Sequence, residues 1–251
     1  MTELTLVSLG RPLDGMTTFI RYAFMPNRLE YCGGDDNQTL FDYALAGFSD
    51  NGLAPLLQRF TGALPYLRLI ANANNIRDVF DSRVVEAYWL GNALLDAVEV
   101  RQFYDTLLDR FGKQLSGRTR DLVLGKAPSG ARPHHSFHVL DVHSRIGALE
   151  NTMQTLDSCR ISWGWVIEVR GSELVVNRQR LLIREGKLTL NEARPERVLR
   201  QINGRGFADD AAPGSWVSLH WGWVCEVITE QQHQNVERYT RYHLALANRT
   251  I

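Results

Sequence analysis

The chain has 251 residues, of which 44% are hydrophobic and 22% are charged, a composition typical of a globular protein. Its 28 basic residues balance its 28 acidic residues, which excludes a long-range electrostatic attraction to nucleic acid or to an anionic membrane. A surface without net charge instead favours association with another protein.

No apolar run approaches the roughly 18 residues that a membrane span needs. The N-terminal segment, residues 1–15, lacks the basic start and the long apolar stretch of a signal peptide. Three cysteines, Cys32, Cys159 and Cys225, are too few and odd in number for a disulfide framework. These features predict a protein of the reducing cytoplasm.

The first part of the chain, Thr17–Leu115, has mostly helical periodicity. Within it, Leu53–Ile70 carries one apolar stripe at three- and four-residue spacing. A second helix is predicted with Ser82 as its N-cap, and a third apolar stripe follows it. The members of the first stripe that we expect to be buried are Leu56, Phe60, Leu64 and Leu67.

The helical periodicity is lost over Leu115–His135, a segment rich in Gly, Ser, Pro and Arg, which predicts a long loop. A structureless stretch of this length is usually functional or connects domains. Beyond it, Ser136–Val142 is interpreted as a short strand and Gly147–Leu156 as a short helix. Residues 1–155 are therefore predicted to form a helical domain with a loop-rich, histidine-containing end.

After Ser158 the hydrophobic period changes to two, which is typical of strands. The sequence around Glu185-Gly186-Lys187 predicts a hairpin, and residues 213–228 alternate as one long strand. A last helix is predicted over Glu230–Ala247. The fold class is therefore α+β, in which residues 156–251 form a small OB-like β-barrel closed by a C-terminal helix.

Two segments of this C-terminal module resemble a known family. Residues 159–169, CRISWGWVIEV, combine a cysteine, an apolar run, a glycine and a strand, and residues 213–224, PGSWVSLHWGWV, place His220 in a second strand. Both segments resemble the signatures of the HypC/HupF hydrogenase maturation chaperones. The sequence departs from that family because Cys159 is internal, Trp163 stands where a proline is usual, and residues 178–212 are longer. The whole two-part layout is also similar to an uncharacterised bacterial family associated with hydrogenases.

The resemblance implies a HypC-like barrel and an accessory function in [NiFe]-hydrogenase maturation. It implies that Cys159 and His220 handle an iron centre, transiently held as Fe(CN)2(CO), and that the partner is the hydrogenase large subunit or another maturation protein. A soft thiolate and a borderline imidazole are ligands suited to low-valent iron. We expect the two side chains to face each other at an accessible rim of the barrel. The alternative is an inert thiol and a histidine bonded within the barrel.

A second candidate site is the histidine cluster, in which four of the seven histidines lie within ten positions: His134, His135, His138 and His143. Alternation in a strand would put His134 and His138 on one face, where they can share a metal with a third ligand such as Cys32 or Glu86. This pattern supports a rival hypothesis, a metal-dependent enzyme with hydrolytic or redox chemistry at His134, His135 and His138. The alternative is that these histidines are polar strand and loop residues.

Two further features have both functional and structural interpretations. Cys32, which precedes Gly33 and Gly34, lies in a predicted turn where backbone amides can activate a thiol, although a surface turn before a helix is the simpler explanation of the segment. Five of the six tryptophans lie in the C-terminal module. Either the helical domain covers them or some are exposed, which would indicate a purely non-catalytic interaction module.

Overall fold

We describe a computed structural model of the chain, which covers residues 14–146 and 152–251. Its α-helices are α1 (Gly15–Arg28), α2 (Asn37–Ala46), α3 (Leu53–Leu57), α4 (Leu64–Ala73), α5 (Ser82–Trp89), α6 (Val100–Phe111), α7 (Gly117–Leu124), α8 (His135–Phe137), α9 (Ser144–Ile146), α10 (Met153–Cys159) and α11 (Glu230–Ala247). A 3₁₀ turn covers Ala93–Ala97, and a π-helical turn, His138–His143, joins α8 to α9. No described helix is long and apolar enough to cross a membrane.

The described residues form nine strands, all of which lie after Cys159. They are β1 (Ser162–Arg170), β2 (Glu173–Arg178), β3 (Leu181–Arg184), β4 (Lys187–Leu190), β5 (Arg194–Leu199), β6 (Gln201–Ile202), β7 (Arg205–Gly206), β8 (Trp216–His220) and β9 (Trp223–Ile228). Five of them pair in the closed order β1-β2-β5-β9-β8, while β3 with β4 and β6 with β7 form separate two-stranded sheets. The predicted mixed fold, with a C-terminal sheet followed by a helix, is confirmed.

Three local predictions for residues 53–135 are wrong. The stripe in Leu53–Ile70 is divided between α3 and α4 by a turn, and Leu56 is only half-buried whereas Phe60, Leu64 and Leu67 are buried. The expected loop Leu115–His135 contains the two-turn helix α7. Asp81, not Ser82, is the N-cap of α5, because its carboxylate accepts the backbone N–H of Arg83.

The segment Ser136–Val142 is helical rather than a strand. His134 is the N-cap of α8, and its ring Nδ1 accepts the backbone N–H of Ser136 at 3.1 Å. The apolar residues of this segment, Phe137, Val139, Leu140 and Val142, are all buried. The segment therefore lacks the alternation of buried and exposed residues that a half-exposed strand would show. Of the helix expected at Gly147–Leu156, residues 147–151 lie outside the described part of the chain, and the helix that follows is α10.

The long strand expected over residues 213–228 is in fact a hairpin of β8 and β9 with a two-residue turn at Trp221 and Gly222. Both turn residues have positive φ, 54° and 73°, the geometry that suits the twist of a tight hairpin. The hairpin predicted between β3 and β4 is confirmed, with Glu185 and Gly186 in the same type of conformation. Helix α11 has the predicted bounds because Thr229 and Gln232 form a reciprocal capping box.

The apolar residues that alternate along β1 are buried only in part. Trp163 is 5% exposed, but Trp165, Ile167 and Val169, which follow it at every second position, are 36–45% exposed. Val166 lies in the core instead, and a bulge follows it in the pairing with β2. The tryptophans are thus divided, since Trp223 is fully buried whereas Trp165 faces solvent beside Trp216.

One hydrophobic core crosses the boundary predicted between residues 155 and 156. The ring of Phe24 in α1 lies 5.5 Å from that of Trp223 in β9, and the packing continues to Phe207. Helix α11 packs against the helical half at Gly91, whose φ is +91°; a Cβ there would lie 2.1 Å from the Tyr239 ring. Residue 156 therefore marks a change from mainly helical to mainly strand structure, while the hydrophobic core continues across it.

A buried ionic cluster fixes the end of α10 to the sheet. The Asp157 carboxylate accepts hydrogen bonds from Arg160 at 3.0 Å, from Arg178 at 2.8 Å and from the backbone N–H of Leu181 at 2.8 Å. Arg160 is 1% exposed, and burial lowers the pKa of its guanidinium to about 10. Asp157 thus neutralises two buried cations and holds the backbone that carries Cys159 two residues later.

Substitution Asp157→Ala is expected to lower the free energy of unfolding by about 3–5 kcal/mol, because it leaves Arg160 buried without a counter-charge and Arg178 with only the Glu196 carboxylate, 3.6 Å away. The measurement is urea denaturation of the metal-free protein. Asp105→Ala is the matched control, since Asp105 forms an exposed i,i+4 ion pair with Arg101 and should cost less than about 0.5 kcal/mol. Equal effects of the two substitutions would contradict the structural role of Asp157.

Candidate metal site

Three potential metal ligands come together from three distant parts of the chain. His135 begins α8, Cys159 ends α10 and His220 ends β8. One ligand atom from each side chain lies within 4.8 Å of the other two. Tetrahedral coordination with bonds of about 2.0–2.3 Å places ligand atoms roughly 3.4–3.8 Å apart, so the three need to approach one another by only about 1 Å. The group is therefore close enough to hold a metal ion.

His220 is already in the protonation state that a metal requires. It is 2% exposed, and its Nδ1 lies 2.6 Å from the carbonyl oxygen of Tyr22 in α1. A carbonyl only accepts, so Nδ1 carries the hydrogen and Nε2 carries the lone pair. Burial lowers the pKa of His220 to about 4, although the carbonyls of Tyr22 and Cys159 oppose this effect. The ring is therefore neutral at physiological pH.

The Nε2 atom of His220 is buried without a hydrogen-bond partner among the described residues. The neighbouring Cys159 carbonyl does not satisfy it, because Nε2 carries a lone pair and a carbonyl oxygen has no hydrogen to donate. Buried nitrogen atoms without partners are uncommon in folded proteins, and a role in binding an ion is one of the usual reasons for one. The orientation of His220 by a backbone carbonyl is also the arrangement commonly seen behind metal-bound histidines.

His135 lies against the same centre but has partners at both ring nitrogens. Its Nε2 donates to the Cys159 carbonyl at 2.8 Å, and its Nδ1 accepts from the Tyr88 hydroxyl at 3.1 Å. Burial and the nearby His220 hold the pKa of His135 well below its usual range, so this ring is also neutral. A metal bound by His135 replaces one of these two hydrogen bonds.

Cys159 supplies the thiol of the group. Burial raises the pKa of Cys159 to about 12; nearby Cys32 raises it further, while Trp221 has the opposite effect. The thiol is therefore protonated in the metal-free protein and must lose its proton to bind a metal. Although β1 was expected to begin at Cys159, this residue is the last of α10, and the strand begins at Ser162.

A cavity of about 300 Å³ opens next to the three ligands. Its apolar walls include Phe19, Phe60, Tyr88 and Trp89, and Cys32 and Trp221 lie along it as well. His220 thus faces a cavity lined by residues of the helices as well as of the sheet, not the accessible rim of a barrel, because it is 2% exposed and the backbone of α1 covers its Nδ1 side. An ion bound here would be held in a largely apolar environment with space beside it.

The structure separates the histidines that were expected to share a metal. His134 bonds through Nδ1 to Ser136 Oγ at 2.7 Å, and its ring stacks on Tyr239 of α11, away from the cavity. His138 is bonded to the Tyr66 hydroxyl at 3.1 Å and lines the cavity together with His143. The pairing of His134 with His138 depended on a strand that is in fact helical. Glu86 instead accepts from Gln232 of α11.

The pairing of His135 with Cys159 and His220 was not predicted from the sequence. The histidine cluster and the Cys159/His220 pair were treated as two separate sites, and nothing in their spacing connects them. The sequence indicated Cys159 and His220 through the resemblance to the HypC/HupF chaperones. It indicated His135 only through the local concentration of histidines. Only the packing of α8 against the end of α10 and the β8–β9 hairpin joins them.

The fold and the site together define a mixed helix-and-strand protein with a His/Cys/His group close enough to hold a metal ion. The chain belongs to the DUF6390 family, described as a family of unknown function, whose profile matches residues 11–251. No curated protein and no solved structure matches the chain.

Proposed function

We propose that the protein is an accessory protein that binds one transition-metal ion or metal fragment through Cys159, His220 and His135 and delivers it to a client. The observation that carries the proposal is the neutral, buried Nε2 of His220, which has no described partner and lies beside a thiol and a second imidazole. A donor set of one thiolate and two imidazoles suits Zn²⁺ and iron better than Mg²⁺ or Ca²⁺.

The client that we propose is the large subunit of a [NiFe] hydrogenase or another of its maturation proteins. The support is the likeness of the segments around Cys159 and His220 to the HypC/HupF chaperones, together with a closed five-strand order followed by a helix. The cargo on this proposal is iron as Fe(CN)2(CO), which Cys159 and His220 hold until it is transferred. His135 is an additional ligand from the helical half, which would allow this chain to hold the fragment without a partner.

The experiment is co-expression of the tagged chain with a hydrogenase large-subunit precursor and the other maturation proteins. We expect the precursor to co-purify with the chain, and the chain to contain iron with infrared bands of bound cyanide and carbon monoxide. The variant Cys159→Ser should lose these bands, while His134→Asn, a buried histidine outside the metal group, should keep them. Undiminished hydrogenase activity in a strain that lacks the chain would contradict the proposed client.

A second candidate function is a metal-dependent enzyme, favoured by the cavity beside the ligands. Three protein ligands with an open fourth position are the usual arrangement of catalytic zinc, and His138 and His143 line the space where a substrate would lie. Burial lowers the pKa of both histidines, so they are neutral and can accept protons. Turnover of a hydrolysable ester by the zinc-loaded protein, lost with His138→Ala but with zinc retained, would favour this candidate.

A further inference from the structure

Cys32 lies at the opening of the same cavity that the His135/Cys159/His220 group lines. It belongs to an exposed loop between α1 and α2, and it also lines an outer groove formed by that loop. The two cysteines are 127 positions apart in sequence, yet they are near enough for the charge of one thiolate to raise the pKa of the other. Cys32 therefore lies where the cavity of the metal group meets the outer groove.

The loop that carries Cys32 is held over the cavity by contacts on both sides of that residue. The Tyr31 ring stacks on Trp221 with centroids 4.0 Å apart, and Trp221 is the neighbour of His220. The backbone N–H of Gly34 donates to the Asn27 side chain at 2.7 Å, and Asp36 forms an ion pair with Arg59.

Trp221 holds this position at a φ of 54°, which is unfavourable for a large side chain. The turn at Trp221 thus ties the Cys32 loop to the hairpin of His220.

The metal group by itself leaves one coordination position open. His135, Cys159 and His220 are three ligands, whereas a closed zinc or iron site of this type has four. Cys32 is outside the set of atoms that lie within 4.8 Å of one another, so the loop must move inward for its sulfur to bind. It is also the only exposed cysteine among the described residues, and an exposed ligand can exchange with an incoming partner more easily than a buried one.

We infer that Cys32 is the fourth ligand, which closes the site after a metal ion has entered and is the first to dissociate when the ion leaves. This inference depends on the proposed metal-binding function and identifies Cys32 as the ligand that exchanges. A bound ion would have two thiolate and two imidazole ligands, and each thiol would lose its proton on binding. The loop, held by Tyr31 and Trp221, would then separate the ion from solvent.

The test uses the full chain with Co²⁺ and Zn²⁺ as probes and compares wild type with Cys32→Ala, Cys159→Ala and Cys225→Ala. Cys225 is the matched control because it is a fully buried cysteine outside the cavity lining. We expect the thiolate-to-cobalt charge-transfer absorption of Cys32→Ala to fall to about half that of wild type and its zinc affinity to fall about 10- to 100-fold. Cys225→Ala should match wild type in both measurements.

Alkylation gives a second readout that does not depend on folding of a variant. Tryptic cleavage after Arg28, Arg59, Arg145, Arg160 and Arg205 places the three cysteines in three different peptides. Zinc should slow the reaction of iodoacetamide with Cys32 and leave Cys225 unchanged. If Cys159→Ala abolishes cobalt binding but Cys32→Ala keeps the full charge-transfer band and zinc leaves Cys32 unprotected, the inference is wrong and the proposed function stands. If Cys159→Ala itself binds cobalt as wild type does, the proposed function is wrong.

Discussion

Replacing His220 by asparagine is expected to weaken Zn²⁺ binding by more than about 100-fold, since loss of only an outer partner of a ligand already costs roughly 10- to 100-fold. Asparagine retains a side-chain N–H near the position of Nδ1, which can still donate to the Tyr22 carbonyl, but it has no counterpart of the free Nε2. The substitution therefore removes the ligand atom and keeps the hydrogen bond to Tyr22 that positions the side chain. Competition with a chromophoric zinc chelator measures the affinity.

The matched control is His134→Asn, which makes the same change at a histidine that is equally buried but bonded to Ser136 outside the group. Its zinc affinity should stay within about threefold of wild type, a difference of less than 1 kcal/mol. Cys159→Ser should behave like His220→Asn, because a hydroxyl is a much poorer ligand than a thiolate. Retention of wild-type affinity by His220→Asn, with circular dichroism unchanged, would exclude the proposed site.

The parts of the fold that were predicted correctly have local causes. Helix α11 begins at Glu230 because Thr229 and Gln232 satisfy its first N–H groups, and these residues are neighbours in sequence. The turn at Glu185 and Gly186 also has a local cause, because glycine tolerates positive φ. The turn at Trp221 was missed because tryptophan rarely adopts that conformation, and here contacts with the distant Tyr31 favour it.

The candidate site was predictable only as separate pieces. His135 was grouped with its sequence neighbours His134 and His138, but helical geometry directs consecutive side chains to different surroundings, so His134 meets α11 and His135 meets Cys159. Cys32 was considered as a ligand for His134 and His138, and the cavity that it lines contains His138 and His135 but not His134. Which thiol meets which imidazole depends on contacts between different elements, such as His135 with the Cys159 carbonyl, 24 residues away, and on the contact of His220 with Tyr22, 198 residues away, and no local pattern encodes them.

The affinity for Zn²⁺ is expected to rise about tenfold per pH unit for each thiol that binds the ion, between pH 6 and 8. Burial raises the pKa of Cys159 to about 12, so the free thiol is protonated throughout this range and binding must release its proton. His220, with a pKa of about 4, and His135, whose pKa is also lowered, are neutral already and contribute no pH dependence there. Acidification therefore weakens binding through the thiols alone.

The Cys32→Ala variant isolates the effect of Cys159, and its affinity should rise about 100-fold from pH 6 to pH 8, which corresponds to about 1.4 kcal/mol per pH unit. Wild type should show a steeper rise, up to about 10⁴-fold, if Cys32 also binds the ion, because an exposed thiol is also mostly protonated between pH 6 and 8 and must lose its proton on binding. The double variant Cys32→Ala/Cys159→Ser should show a nearly flat profile. A pH-independent affinity in Cys32→Ala would mean that Cys159 is not a ligand, since two neutral imidazoles release no proton on binding.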